Sequence, residues 1–124
     1  MDYLIVGLGG FLGANARYLV ANEIGRRYGT SFPYGTLVIN VSGSFVIGLF
    51  LVLVTERCIV HTHWRLFFSV GFLGAYTTFS TFSFESLALM QNGFWFLSLL
   101  NIVGSVVLGL MATLSGVMLA RLCS

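Results

Sequence analysis

The sequence predicts an all-α membrane protein, a single domain of four transmembrane helices with a break in the third. Three observations carry that expectation. First, 57% of the 124 residues are hydrophobic, only 8% are charged, and the mean hydropathy is +0.95. A soluble domain carries about 25% charged residues, so this chain has too little charge to cover a surface in water. Second, the apolar residues fall into four runs, each near the roughly 20 residues that a helix needs to cross a ~30 Å hydrocarbon core. Third, hydroxyl side chains crowd into the middle of the third run.

The first run covers residues 3–24. It is expected to be a retained membrane helix rather than a signal peptide. Asp2 stands where a basic n-region would be, and Asn15 and Arg17 interrupt the apolar stretch without a small-residue cleavage pattern. A polar turn is expected next, with Arg26, Arg27, Gly29 and the single proline, Pro33, which suits a helix start. The second run covers residues 34–55, and a short polar connection leads from Glu56-Arg57-Cys58 to His61-Thr62-His63. The third covers residues 64–90 and stops at Gln91-Asn92-Gly93, a turn signal; the fourth covers residues 94–122. Four runs nearly exhaust the chain, and four crossings put both ends on one side.

Small residues recur at helix-contact spacing: Gly9 with Gly13, Gly10 with Ala14, Ser44 with Gly48, and Ser105 with Gly109. Such faces let backbones approach closely in lipid, where no hydrophobic force drives helices together. Packing within one subunit and packing against a second copy both fit the pattern.

Membrane orientation normally follows an excess of Lys and Arg on cytoplasmic loops. Here there is no lysine, and the arginines divide almost evenly. Arg57, Arg65 and Arg121 lie toward the side of the termini, with Arg26 and Arg27 opposite and Arg17 near that same end. A chain that inserts both ways, allowing an antiparallel dimer, is one explanation; a single weakly biased orientation is the other. A net charge of +2 spread this thinly gives no reason to expect nucleic acid.

Enzyme chemistry finds little support. His61 and His63 share a loop without an acidic or thiol partner at a recognisable spacing, and Cys58 and Cys123 fit no metal-ligand pattern. Glu85 is the only acidic residue well inside an apolar run, and one carboxylate cannot supply a paired acid and base.

The third run carries the strongest chemical signal. Between Thr77 and Ser83, five of seven residues bear hydroxyls: Thr77, Thr78, Ser80, Thr81 and Ser83. Hydroxyls can satisfy their own helix backbone, which accounts for one or two but strains at five. A local break, buried in protein or lining a wet cavity, accommodates them all. Such a break releases carbonyls that can hold a cation and amides that can face an anion. Phe79 and Phe82 lie three apart, and an aromatic ring has a positive edge that meets a small anion favourably. Among twelve phenylalanines, plain packing is the competing reading.

Thr36, Asn40 and Ser44 make a polar row at four-residue spacing on the second helix, and Asn101 and Ser105 a shorter one on the fourth. Either row can line a pathway or bond a neighbouring helix. Donors matter most for an anion, because moving a bare ion into a low-dielectric medium costs tens of kcal/mol. Arg17 can snorkel to the nearer interface or raise anion concentration at a vestibule.

Three segments, GGFLGANARY (residues 9–18), GTLVINVSGSFVIG (35–48) and GFLGAYTTFSTFSFE (71–85), closely resemble the Fluc/CrcB family of bacterial fluoride channels. The resemblance implies an antiparallel, dual-topology homodimer in the bacterial inner membrane, exporting fluoride passively through two pathways. It makes Phe79 and Phe82 the ring-edge contacts and Asn40 the central amide donor. Ser80, Thr81, Ser83, Thr36 and Ser105 become candidates for a polar track, Arg17 the vestibule arginine, and Glu85 a carboxylate near the pore mouth. Gly74 and Thr77 would give backbone carbonyls to a structural sodium ion on the dimer axis. In the fourth helix the match is looser: Gly109 stands where some relatives carry a hydroxyl, and Asn101 where some carry an aromatic. The competing expectations are a small proton-coupled exporter, which needs a membrane carboxylate that the first helix lacks, and a non-transporting assembly subunit, which leaves the hydroxyl cluster unexplained.

Overall fold

A computed structural model describes residues 1–57 and 61–123; Cys58 lies outside the described residues. Among those residues every regular element is helical. Helix α1 is Asp2–Tyr28 and α2 is Tyr34–Val52, which continues as a wider coil over Leu53–Arg57. Thr62–Arg65, Leu66–Leu73 and Gly74–Tyr76 follow one another without a gap and together form α3. Helix α4 is Phe79–Gln91 and α5 is Trp95–Leu122. Three stretches, Asp2–Tyr28, Tyr34–Glu56 and Trp95–Leu122, are long and apolar enough to cross a membrane. At 1.5 Å per residue the 28 residues of α5 reach about 42 Å, past the hydrocarbon core on both sides.

The expected turn at Arg26 and Arg27 is helix instead. Both arginines bond Glu23, at three- and four-residue spacing, Arg27 Nε at 2.7 Å. These cations also suit the negative end of the helix dipole, so α1 runs on to Tyr28 and ends at Gly29 with φ 79°. A second correction concerns His61 to His63, expected in a loop. His61 caps α3, its Nδ1 accepting the His63 N–H at 3.2 Å, and the helix begins at Thr62 rather than Trp64. The Gln91-Asn92-Gly93 turn forms as expected. Gly93 takes φ 85°, its N–H bonds the Met90 carbonyl, and the Phe94 N–H reaches back to the Leu89 carbonyl at 2.8 Å. That pair of bonds closes the helix in a Schellman motif.

The small residues pack inside the subunit. A Cβ added at Gly9 would stand 2.1 Å from the Phe67 carbonyl oxygen, and one at Gly13 2.1 Å from that of Phe72. Contacts that advance together along both chains mean that α1 and α3 run parallel. Likewise Gly48 meets the Thr113 carbonyl, Gly109 faces Ser44, and Gly116 meets the Phe45 carbonyl, so α2 and α5 also run parallel. Alternate segments therefore share a direction, as sequential crossings require. The close approach of α3 to α1 coincides with a wider coil over Leu66–Leu73, in which the Gly74 N–H reaches the Ser69 carbonyl five residues back.

Much apolar surface faces outward. Phe11, Leu19, Phe96, Leu110 and Leu114 are all exposed, which in a hydrocarbon setting carries no penalty.

Candidate functional site

The helical path breaks at Thr77 and Thr78. Thr77 has φ −81° and ψ 156°, Thr78 has φ −149° and ψ 124°, and both are extended. Two extended residues remove a turn of backbone bonds, and two neighbouring side chains together with Thr78's own hydroxyl replace them. From α2, Asn40 Nδ2 donates to the Thr78 carbonyl at 2.9 Å, while the Thr78 N–H donates to Asn40 Oδ1 at 2.8 Å. From α1, Arg17 Nε donates to the Ala75 carbonyl at 3.1 Å. Thr78 itself caps α4, its Oγ1 accepting the Thr81 N–H at 3.3 Å.

These bonds settle how each candidate residue is employed in the subunit. Asn40 clamps both polar groups of one peptide residue, leaving its second amide hydrogen outside the clamp. Arg17 is tied to the end of α3 across 58 residues of sequence. Thr36 is buried and its hydroxyl donates to the Glu85 carboxylate, which joins α2 to α4. Ser44 bonds the Asn40 carbonyl behind it at 2.7 Å. Thr36 and Asn40 of the polar row are thus where α2 holds the broken segment, while Ser44 bonds within α2.

Phe79 and Phe82 stand with ring centroids 5.8 Å apart and planes inclined at 48°. Phe79 is 79% exposed on the subunit surface. It lines a cavity of about 330 Å³ together with Asn40, Ser44, Gly74, Thr77 and Thr78. Ser80 and Ser83 are exposed beside it, and Thr81 is half-buried, bonded to Thr78 Oγ1 at 3.2 Å. The structure therefore brings Asn40, Gly74, Thr77 and Phe79 to one cavity. A second cavity of similar volume lies at the far end of α4, lined by Ser31, Pro33, Phe84, Glu85 and Asn92 among others. Glu85 belongs to that one and lies half-way along α4.

Ser105 is separate from both cavities' linings and hangs on Asn101, its Oγ donating to Asn101 Oδ1 at 3.3 Å. Asn101 Nδ2 donates in turn to Ser86 Oγ at 2.9 Å, and Ser98 Oγ to the Ser86 carbonyl at 2.7 Å. Ser86 and Ser98 are absent from the candidates named in the sequence, because a lone serine in an apolar helix leaves no periodic trace. Thr78 as a cap had a readable signal: a threonine three residues before the Thr81 amide that it accepts.

The family described as CrcB-like protein, Camphor Resistance (CrcB), matches residues 4–117. The chain belongs to the CrcB family. Similar CrcB-type proteins include one from Solibacter usitatus, 50% identical over 121 residues, 98% of this chain and 99% of that one. Another, from Koribacter versatilis, is 49% identical over 97% of this chain and 95% of its own length. A third, from Magnetococcus marinus, is 48% identical over 98% and 99%. All three bear the name fluoride-specific ion channel FluC. Membership of the CrcB family spans both sides of the break, so it covers α1 and α2, which clamp the break, as well as α3 and α4, which form it.

Proposed function

We propose that this protein is a fluoride-specific ion channel that lets fluoride leave the bacterial cytoplasm passively across the inner membrane. The observation that carries the reading is the two-residue break at Thr77–Thr78, held open by Asn40 beside an exposed Phe79, in a chain of the CrcB family. Helices α3 and α4 with their break make the fourth crossing. Fluoride is small and strongly hydrated, so a path through protein must replace its water with donors. The amide hydrogen of Asn40 outside the clamp, the positive edges of Phe79 and Phe82, and the hydroxyls of Ser80, Thr81 and Ser83 supply them, while Thr36 and Ser105 flank the track with their protons given to Glu85 and Asn101. A membrane potential, worth about 2.3 kcal/mol per charge per 100 mV, drives an anion outward without a pump.

The second half of the proposal is an antiparallel homodimer. Phe79, at 79% exposure, and the open cavity beside it leave half of a lined path facing outward, and a second copy inserted the other way supplies the opposite wall. A sodium ion at the dimer interface fits the backbone here. The Thr78 N–H, which a continuous helix would give to the Gly74 carbonyl, goes to Asn40. The Thr81 N–H, which would go to the Thr77 carbonyl, goes to Thr78 Oγ1. Both carbonyls are thereby released toward a hard cation, which takes oxygen ligands of this type. Bound there, the ion supplies fixed positive charge and joins the two copies. Arg17 braces the end of α3 at what would be one mouth of the pathway, and Glu85 with Thr36 stands nearer the other.

Purified protein in liposomes, preloaded with potassium fluoride and given a potassium ionophore, tests the reading. Potential-driven fluoride efflux, stopped by Phe79→Ile or Phe82→Ile, is expected. Transport that needs a pH gradient and disappears with Glu85→Gln would make the protein a proton-coupled exporter instead.

A further inference from the structure

The buried network between α4 and α5 lies off both cavities yet ends on a residue of the proposed path. Ser98 is 0% exposed, Asn101 2% and Ser86 4%, and every buried side-chain polar atom among the described residues has a partner. Interhelical hydrogen bonds of this kind join helices in lipid. Joining α4 to α5 needs only the Ser98 and Asn101 bonds to Ser86, which leaves the further bond from Ser105 to Asn101 without a packing role.

The direction of its bonds has a consequence for Ser105. The hydroxyl proton of Ser105 points at Asn101 Oδ1, so its donor is spent and only lone pairs face outward. That is the wrong polarity for an anion. Register places Ser105 against the donors that matter. Gly109, one turn later on the same face of α5, faces Ser44 Oγ at 3.7 Å, and α2 and α5 run parallel. Ser105 therefore lies level with Asn40.

An asparagine between two hydroxyls has a second arrangement of equal bond count. Turned over, its Oδ1 accepts from Ser86 Oγ–H and its Nδ2 donates to Ser105 Oγ. No atom moves far, because amide oxygen and nitrogen occupy nearly the same shape. In the turned state Ser105 receives a bond from Asn101 and its own proton is released to donate elsewhere. An approaching anion favours that state, since only there does Ser105 offer it a hydrogen, and a ligand shifts a two-state equilibrium by its differential interaction.

We propose that Asn101 is a positioning residue whose amide, by turning over against Ser86, switches Ser105 from an inward to an outward donor as fluoride passes. The inference rests on the channel reading and adds to it a specific role for the buried amide. Asn101 touches no ion itself; it acts through Ser105.

Liposome efflux with a double-mutant cycle is the test. Ser105→Ala is expected to slow fluoride flux roughly ten- to a hundredfold, the size of one hydrogen bond to a charged group. Asn101→Leu is expected to slow it comparably in the natural background and to add nothing in Ser105→Ala. Slowing by the same factor in both backgrounds would mean a packing role and overturn the switch. Normal flux in Ser105→Ala, with Phe79→Ile still blocking, would remove Ser105 from the path and overturn the switch while leaving the channel. No fluoride flux through the unaltered protein would remove both. Should Asn101→Leu fail to fold, the unaltered protein still decides. The Asn101 side-chain ¹⁵N resonance is expected to move with saturating fluoride but not chloride, and to stop moving in Ser105→Ala. A resonance indifferent to fluoride overturns the proposal.

Discussion

Asn40→Asp separates the two duties assigned to Asn40, because it preserves shape while removing both amide hydrogens. In the clamp, Asp keeps an acceptor for the Thr78 N–H but sets a second oxygen against the Thr78 carbonyl, 2.9 Å from the present nitrogen. A half-buried carbonyl left without its donor costs about 1–3 kcal/mol, so the folded protein should lose that much stability and still form. Conduction should suffer far more. An anion within about 4 Å of an ionised carboxylate meets roughly 4 kcal/mol of repulsion at an effective permittivity near 20. Each 1.36 kcal/mol is tenfold in rate, so passage falls about a thousandfold, before counting the lost donor. Asn40→Leu provides the control: it strands both Thr78 groups, costing about 2–6 kcal/mol, but adds no charge. Thermal unfolding in detergent and fluoride efflux from liposomes measure the two effects. Asn40→Asp unfolding like the unaltered protein while conducting at a normal rate would refute both the clamp and the donor.

Four further outcomes follow from the same geometry. Gly48→Ala should destabilise by about 1–3 kcal/mol in thermal unfolding, because its Cβ would stand 2.4 Å from the Thr113 carbonyl oxygen. Gly7→Ala, which meets nothing within 4 Å, should be neutral or slightly stabilising. Gly74→Leu has open space in the subunit, where the nearest atom to an added Cβ is the Ser69 oxygen at 3.9 Å. It should therefore fold but fail to form the proposed dimer, seen by light scattering as half the mass of the unaltered protein. Arg17→Gln should lose a hydrogen bond from a charged donor to the Ala75 carbonyl, worth about 1.5–3 kcal/mol, and hydrogen exchange at residues 75–79 should quicken.

Hydropathy made the helical class and the long apolar helices legible, because lipid demands a continuous apolar run whatever the tertiary packing. The break was legible too, from the hydroxyls of Thr77 to Ser83, since such density has no use in an intact lipid-facing helix. What escaped was pairing. The Asn40 clamp joins residues 38 apart and the Arg17 brace residues 58 apart. Periodicity along one helix says which residues share a face, but not which atoms of another segment that face meets. Arg26 and Arg27 escaped for a local reason: two charges after an apolar run look like a loop, whereas Glu23 one turn earlier makes them good helix. Gly9 and Gly13 announced a close helix contact correctly, yet their spacing is the same whether the partner is α3 or a second copy.

In the proposed channel, the break gives one short stretch two ends suited to ions of opposite sign. A severed helix has two new ends with opposite partial charge: carbonyls at the end of α3 and amides at the start of α4. Left alone, both would need water. Asn40 instead bonds both groups of Thr78, the residue at the junction, and so seals the middle of the gap. The groups on either side remain: the Gly74 and Thr77 carbonyls on the negative side, Phe79 and the hydroxyls of the first α4 turns on the positive side. The first suits the proposed cation and the second the proposed anion, with a neutral amide between them. In the proposed channel this separation would keep fluoride from settling permanently against the proposed cation, which a passive pathway must avoid, since an ion held too tightly does not leave.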